Sequence, residues 1–300
     1  MNFVRRHRSV QATLLFGPVA VWATVFILAP TLMAILMSFW RFDIYRLVHD
    51  WNLDAYRELF SSSIYYEPLL FSIEQGAIVA VVSILLCLPV AHFIHFRAGR
   101  HKTFLFGAIV IALWLGYLLR ILGWRIILGQ DGVINGILTS VGVVDEPISW
   151  LLYSRFAVVV GQTHIAMPFA FMPVYAAMER LPSPLLDAAS DLGASPRRQF
   201  FHVEMPMIMG GVTTGMTFAF VIAFGDYFAP VLMGPPSAIA IGNIASQQFG
   251  AALNWPLGAA LGVTMILVIL TVMALPGMVE GIVRAVRRRR DRTVHAEMSA

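Results

Sequence analysis

Charge is scarce in this chain of 300 residues: only 13% are Asp, Glu, Lys or Arg, while 58% are hydrophobic. Soluble domains average about a quarter charged, and a chain this poor in polar residues cannot cover the outside of a water-soluble globule. A single soluble domain is thereby excluded. Cysteine is nearly absent as well. Cys87 stands alone in an apolar run, so neither an intramolecular disulfide framework nor a multi-cysteine metal site is available. There is one lysine, Lys102, in the context GRHKTF, which rules out a G-x-x-x-x-G-K-[ST] phosphate loop. H-E-x-x-H is missing too, which removes the commonest helical zinc-protease signature. The net charge of +4 could suit a nucleic-acid binder only if the basic residues formed a soluble patch. They lie instead between long apolar runs, and no nucleic-acid partner is expected.

Those runs define the architecture. A bilayer core of about 30 Å needs about 20 apolar residues of helix. Six stretches meet that length or approach it: Gln11–Trp40, Gln75–Phe96, Thr103–Leu119, Phe156–Met178, Met205–Gly225 and Trp255–Val279. The first competes with a signal peptide because Arg5, Arg6 and Arg8 precede it, but its apolar length favours a retained helix. Arginine and lysine gather in alternate connections: three before the first run, three after the second (Arg97, Arg100, Lys102), three after the fourth (Arg180, Arg197, Arg198) and six after the sixth. The positive-inside rule then puts both termini and the even-numbered loops in the cytoplasm. The expectation is an all-α membrane protein of six helices: a tail over 1–11, a membrane domain over 12–282 and a basic tail over 283–300. The RRRRDR run in that tail reads as an anchor for anionic membrane lipid.

One connection is unlike the rest. Residues 179–206 read ERLPSPLLDAASDLGASPRRQFFHVEMP. Ser183 before Pro184 is a helix start, Gly193 is placed for a left-handed stop, and Ser195 with Pro196 starts a second short helix. Pro206 fits the entry of the fifth membrane helix. The expected product is a helix–glycine–helix element on the cytoplasmic side. Ala188 and Ala189 would permit close approach to a partner, and Asp187, Asp191, Arg197 and Arg198 would form a charged rim.

Asp187-Ala188-Ala189, three residues, Gly193, nine residues, then Val203-Glu204-Met205-Pro206 resembles the E-A-A-x3-G-x9-I-x-L-P loop of ABC-importer permeases at matching spacing. Further segments, YRELFSSSIYYEPLLFS, LLRILGWRIILGQDGVINGILTSVGVVDEP and FGDYFAPVLMGPP, are similar to permeases of the spermidine/putrescine type from Tyr56 onward. The resemblance implies a type I importer permease with the MetI-like fold in a bacterial inner membrane. It also implies that Asp187, Ala188, Ala189, Gly193, Ala194 and Pro206 couple the chain to a dimer of cytoplasmic ATPases. Those ATPases would use ATP and magnesium, this chain binding no cofactor. A second permease, homologous rather than identical, and a periplasmic substrate-binding protein complete the implied assembly. Glu74 departs from the subfamily, which usually carries a small polar residue there.

Three ionisable groups fall at membrane depth, where charge is costly and marks candidate function: Glu74, Arg120 and Asp226. We expect Asp226 and Glu74, with Trp124 and Tyr227 as aromatic faces, to line a path for a cationic amine. Arg120 is read as a gate or structural residue, and a Glu74–Arg120 pair serving packing alone is the competing arrangement. An intramembrane enzyme is the less economical reading: His92 and His95 lack a nearby acidic ligand in sequence, and Asp226 has no second aspartate beside it. An ion-driven secondary transporter would be expected to show inverted repeats, and none is evident. Within the permease reading, other cargoes of related proteins stay open: amino-acid derivatives, phosphonates and iron. In the third inter-helix segment, Asp131 is placed to cap a short helix ended by Gly142, with Val133, Ile134, Ile137, Leu138 and Val141 along one apolar side.

Overall fold

The computed structural model describes residues 16–43 and 46–298, with side chains except those of 183 and 278–298. The start of the first expected span, its preceding arginines and the side chains of the RRRRDR run lie outside the described residues. Helices dominate what is described. Five are long and apolar enough to cross a bilayer: Phe16–Met37 (α1), Ser63–Phe96 (α3), Arg155–Glu179 (α7), Pro196–Phe224 and the first part of Trp255–Met298 (α13), apolar over Trp255–Gly277. The remaining expected span, the third along the chain, is broken. Gly99–Trp114, which contains Lys102–Ile111 (α4), meets Tyr117–Ser140 at 98°. No proline causes the bend; Leu115 and Gly116 take extended ψ values of 129° and 136°, which ends one helix and begins the next. Thr103–Leu119 is therefore corrected from one straight helix to a bent pair, continued by Tyr117–Leu128 (α5) and Val133–Ser140 (α6).

Two compact units divide the chain. The first holds residues 1–66 and 243–267. In it, Arg41–Asp43 (β1) pairs antiparallel with Arg46–Val48 (β2) in the register Arg41 to Val48, Phe42 to Leu47 and Asp43 to Arg46. The hairpin leads to Asp54–Ser61 (α2), whose Tyr56 hydroxyl donates to buried Ser38 Oγ at 2.8 Å. Ile241–Phe249 (α12) straddles the boundary between the units.

The second unit, 67–242 and 268–300, is built around α7. Its apolar window is 61% buried, against none of the window in α1. Helix α7 packs on Met205–Phe224 (α10) through small residues. A Cβ on Gly211 would lie 2.5 Å from both Ala177 Cβ and Pro173 O, and one on Gly215 would lie 2.7 Å from Ala170 O. Small side chains four apart are how membrane helices, lacking a hydrophobic drive to associate, gain close van der Waals contact. A second cluster joins α5 and α7 to Phe228–Met233 (α11) through Ile121, Leu128, Val158, Ile165 and Met233.

Between α5 and α7 the expected short helix is present as α6, closed by Gly142 at φ 73°. The expected Asp131 cap is not made. The N-cap is Gly132, where an added Cβ would meet Ile126 O at 2.4 Å, so the chain turns too tightly for a side-chain cap. Asn135, fully buried, ties this segment instead, donating to Gly129 O at 3.0 Å and accepting from Ile148 N at 2.8 Å.

Candidate functional site

The 179–206 segment forms the expected turn with one change. Ser183–Asp191 (α8) ends at Gly193, which has φ 79°. Ala194 N donates to Ala189 O at 3.0 Å and Gly193 N to Ser190 O at 2.8 Å, the paired bonds of a Schellman stop. The Ser183 side chain, expected to cap α8, lies outside the described residues. Ser195 caps Pro196–Gln199 (α9) by accepting from Arg198 N at 3.4 Å. Helix α9 is not a separate short helix, however. It passes through a π-turn at Phe200–Glu204 straight into α10. Pro206 stands in the first turn of α10, as expected; it has no N–H to offer and its ring crowds the carbonyl four residues back, and the widened turn before it accommodates that without a break in the helix. Gln199 Nε2 reaches back to Ser190 Oγ at 2.7 Å and Ala194 O at 3.2 Å, clamping α8 to α9. Asp187, Ala188, Gly193 and Pro206 are exposed, Ala189 and Ala194 half-buried, and Leu192 stands out at 89% exposure. An apolar tip with a charged rim suits a groove on another protein.

Within the membrane helices the candidate residues separate. Glu74 does not pair with Arg120. It is held by Arg155 in a two-pronged pair at 3.0 and 3.1 Å, and Arg155 also lies over the Phe71 ring at 5.1 Å. That arrangement follows from Arg155 opening α7 beside α3, which sequence distance conceals.

Asp226 sits at the junction of α10 and α11 and accepts four hydrogen bonds, three of them on one oxygen. Oδ1 accepts from Phe228 N at 2.9 Å, Ala229 N at 3.3 Å and the Tyr117 hydroxyl; Oδ2 accepts from Gln162 Nε2 at 3.1 Å. Gln162, 1% exposed, also donates to Ala223 O at 3.3 Å and accepts from Gln75 Nε2 at 3.2 Å. All of its capacity for amide hydrogen bonding through Nε2 is in use. Five elements, α3, α5, α7, α10 and α11, are thus tied through one carboxylate and two buried amides. Gln75, Gln162 and Tyr117 escaped the sequence reading, although two glutamines inside apolar runs are the signal that could have found them.

The remaining candidates flank this chain of bonds. Tyr227 stacks on Phe228 at 4.2 Å, and the Phe228 ring is 6.1 Å from that of Tyr117. Trp124 Nε1 donates to His164 Nδ1 at 3.0 Å, which leaves the neutral imidazole its proton on Nε2. Arg120 is half-buried, and its Nε and Nη1 atoms are enclosed without a hydrogen-bond acceptor. His92, considered with His95 as a metal pair, faces Glu204 at 3.2 Å instead. Among the described residues no three His, Cys, Asp or Glu side chains gather as a metal site.

Residues 18–288 match the binding-protein-dependent transport system inner membrane component family. The chain belongs to that family. The spermidine/putrescine transport system permease protein PotB of Escherichia coli is 34% identical over 248 residues, covering 82% of this chain and 90% of that protein. The inner membrane ABC transporter permease protein YdcU of the same organism is 31% identical over 277 residues, 87% of each. In fold, a chain of a bacterial alginate ABC transporter, crystallised with its alginate-bound periplasmic protein, superposes with a TM-score of 0.73 at 15% identity, over 91% of this chain and 94% of that one. The type I importer permease fold is thereby shared.

Proposed function

We propose that this chain is the membrane-spanning subunit of an ATP-driven importer for a small cationic amine of the spermidine or putrescine kind. The exposed α8–Gly193–α9 element carries the reading. It is a stiff, self-clamped body continuous with a membrane helix, so force applied at Asp187–Gly193 by a separate ATPase reaches the bilayer along α10. Arginine placement supports a cytoplasmic position for this element and both termini in a bacterial inner membrane. One chain offers one such element, whereas a dimer of ATPases offers two grooves, so a second, homologous permease completes the pathway and a periplasmic binding protein delivers cargo.

The names of the relatives support the cargo class. Asp226 contributes through its field, its hydrogen-bond donors being neutral side chains and backbone amides. Tyr227 and Trp124 offer aromatic faces to an ammonium, Glu74 adds negative charge beside Arg155, and Arg120 serves as gate. Arg120 also favours one competing cargo, an amine that carries a carboxylate or phosphonate for its unpartnered guanidinium. Reconstitution of the permease pair, ATPases and binding protein in proteoliposomes tests the proposal. ATP-dependent uptake of labelled spermidine, outcompeted by putrescine but not by aminoalkyl carboxylates, is the expected result. Uptake driven by a proton gradient without the ATPase would overturn it.

A further inference from the structure

The coupling body ends on a soft joint, and one buried pair braces that joint from the side. A π-turn is a rare, wide turn with an extra residue in its ring, and the one at Phe200–Glu204 lies between the clamped α8–α9 body and α10. Movement applied to the body would bend this turn before it shifted α10 unless something held the turn. Glu204, 6% exposed, is the last residue of the turn, and its Oε2 lies 3.2 Å from Nε2 of His92 on α3. The His92 ring meets Phe200 edge-on at 5.9 Å and packs on Phe96 at 4.7 Å. Both ends of the turn therefore rest on one side chain of α3. Beside this contact is an open cleft of about 520 Å³ lined by Leu88, Phe96, Leu186 and Phe200, so the body has space to swing against α3. A carboxylate this enclosed is costly unless a donor or cation faces it. His92 faces it at 3.2 Å without hydrogen-bonding geometry, so Oε2 is enclosed against the ring rather than bonded to it, and Glu204 occupies the unspecified position of the V-x-M-P stretch.

We propose that Glu204 and His92 are positioning residues that stiffen the π-turn against α3, so that a push on α8–α9 moves α3 and α10 together. This rests on the coupling reading above. The test uses the complete transporter in lipid nanodiscs, with spin labels at Arg197→Cys on α9 and Leu85→Cys on α3, or at Arg197→Cys and Phe169→Cys on α7. Cys87 is fully buried and escapes labelling. On ATP binding, the α9–α7 distance should change in the wild type while the α9–α3 distance holds. In Glu204→Leu and His92→Leu the α9–α3 distance should shift or broaden by about 2 Å or more, the scale of interface helix shifts. The double variant His92→Gln, Glu204→Gln should restore the hold, because facing amides bond as Gln75 and Gln162 do. Glu204→Gln alone keeps the side-chain shape and reads the same distance if a leucine variant fails to assemble. An unchanged α9–α3 distance in every variant overturns the brace and leaves the coupling reading standing. A wild-type α9–α7 distance that ignores ATP overturns both.

Discussion

Asp226 allows charge and geometry to be separated. Asp226→Asn keeps the shape and removes the charge; Asp226→Glu keeps the charge and displaces it by a methylene. In the asparagine variant the new amide confronts Gln162 Nε2, donor against donor, at a site where Gln162 is 1% exposed. Leaving a buried donor unpaired costs about 1–3 kcal/mol, and weakening the charge-assisted bonds to Tyr117 and the α11 amides adds about 1 kcal/mol. A stability loss of about 2–4 kcal/mol is expected for Asn, and a similar one for Glu because the four-way geometry is lost. The cargo effect differs. An ammonium about 7 Å away at an effective dielectric of about 20 feels the carboxylate with about 2 kcal/mol, or roughly thirtyfold in affinity. Apparent KM for spermidine in proteoliposomes should therefore rise in Asn and stay near wild type in Glu, while thermal inactivation in detergent comes earlier for both. Equal KM in the two variants would refute the field role. Wild-type thermal stability in both would refute the structural one.

Gly193→Val should uncouple ATP hydrolysis from uptake. The site is open, with no atom within 4 Å of an added Cβ, so the penalty is the left-handed backbone alone, about 1–2 kcal/mol, checked by hydrolysis-to-uptake ratios. Gly211→Leu, facing Pro173 O and Ala177, should leave little folded permease in the membrane, measured by fluorescence-detected gel filtration. Glu74→Gln should change stability by less than about 1 kcal/mol, since both members of its pair with Arg155 are more than half exposed; a double-mutant cycle with Arg155→Gln reads the coupling.

Runs of apolar residues made the spans legible, and turn chemistry made Gly193, Gly142 and Ser195 legible, because both signals are local. What the sequence concealed depends on pairing at a distance. Thr103–Leu119 reads as one helix because nothing in its composition announces extended backbone at Leu115 and Gly116. The Glu74–Arg155 pair, the Gln75–Gln162–Asp226–Tyr117 chain and the Asn135 tie join residues from separate helices, and single-helix periodicity carries no record of which faces meet. Asp226 was found by its rarity at membrane depth, but rarity alone could not tell a carboxylate open to cargo from one enclosed by four donors.

The π-turn at Phe200–Glu204 carries one residue more than a regular helical turn would need. A wide turn spends that surplus residue inside a single revolution, whereas each residue of a regular α-helix advances the azimuth by about 100°. Deleting one residue there would restore a regular turn and leave the Asp187–Gly193 segment on nearly its present bearing on α10. Homologous chains one residue shorter between Gly193 and Pro206 would therefore aim the same motif the same way, on an arm without its compliant joint. Compliance, as distinct from direction, is stored in a residue count.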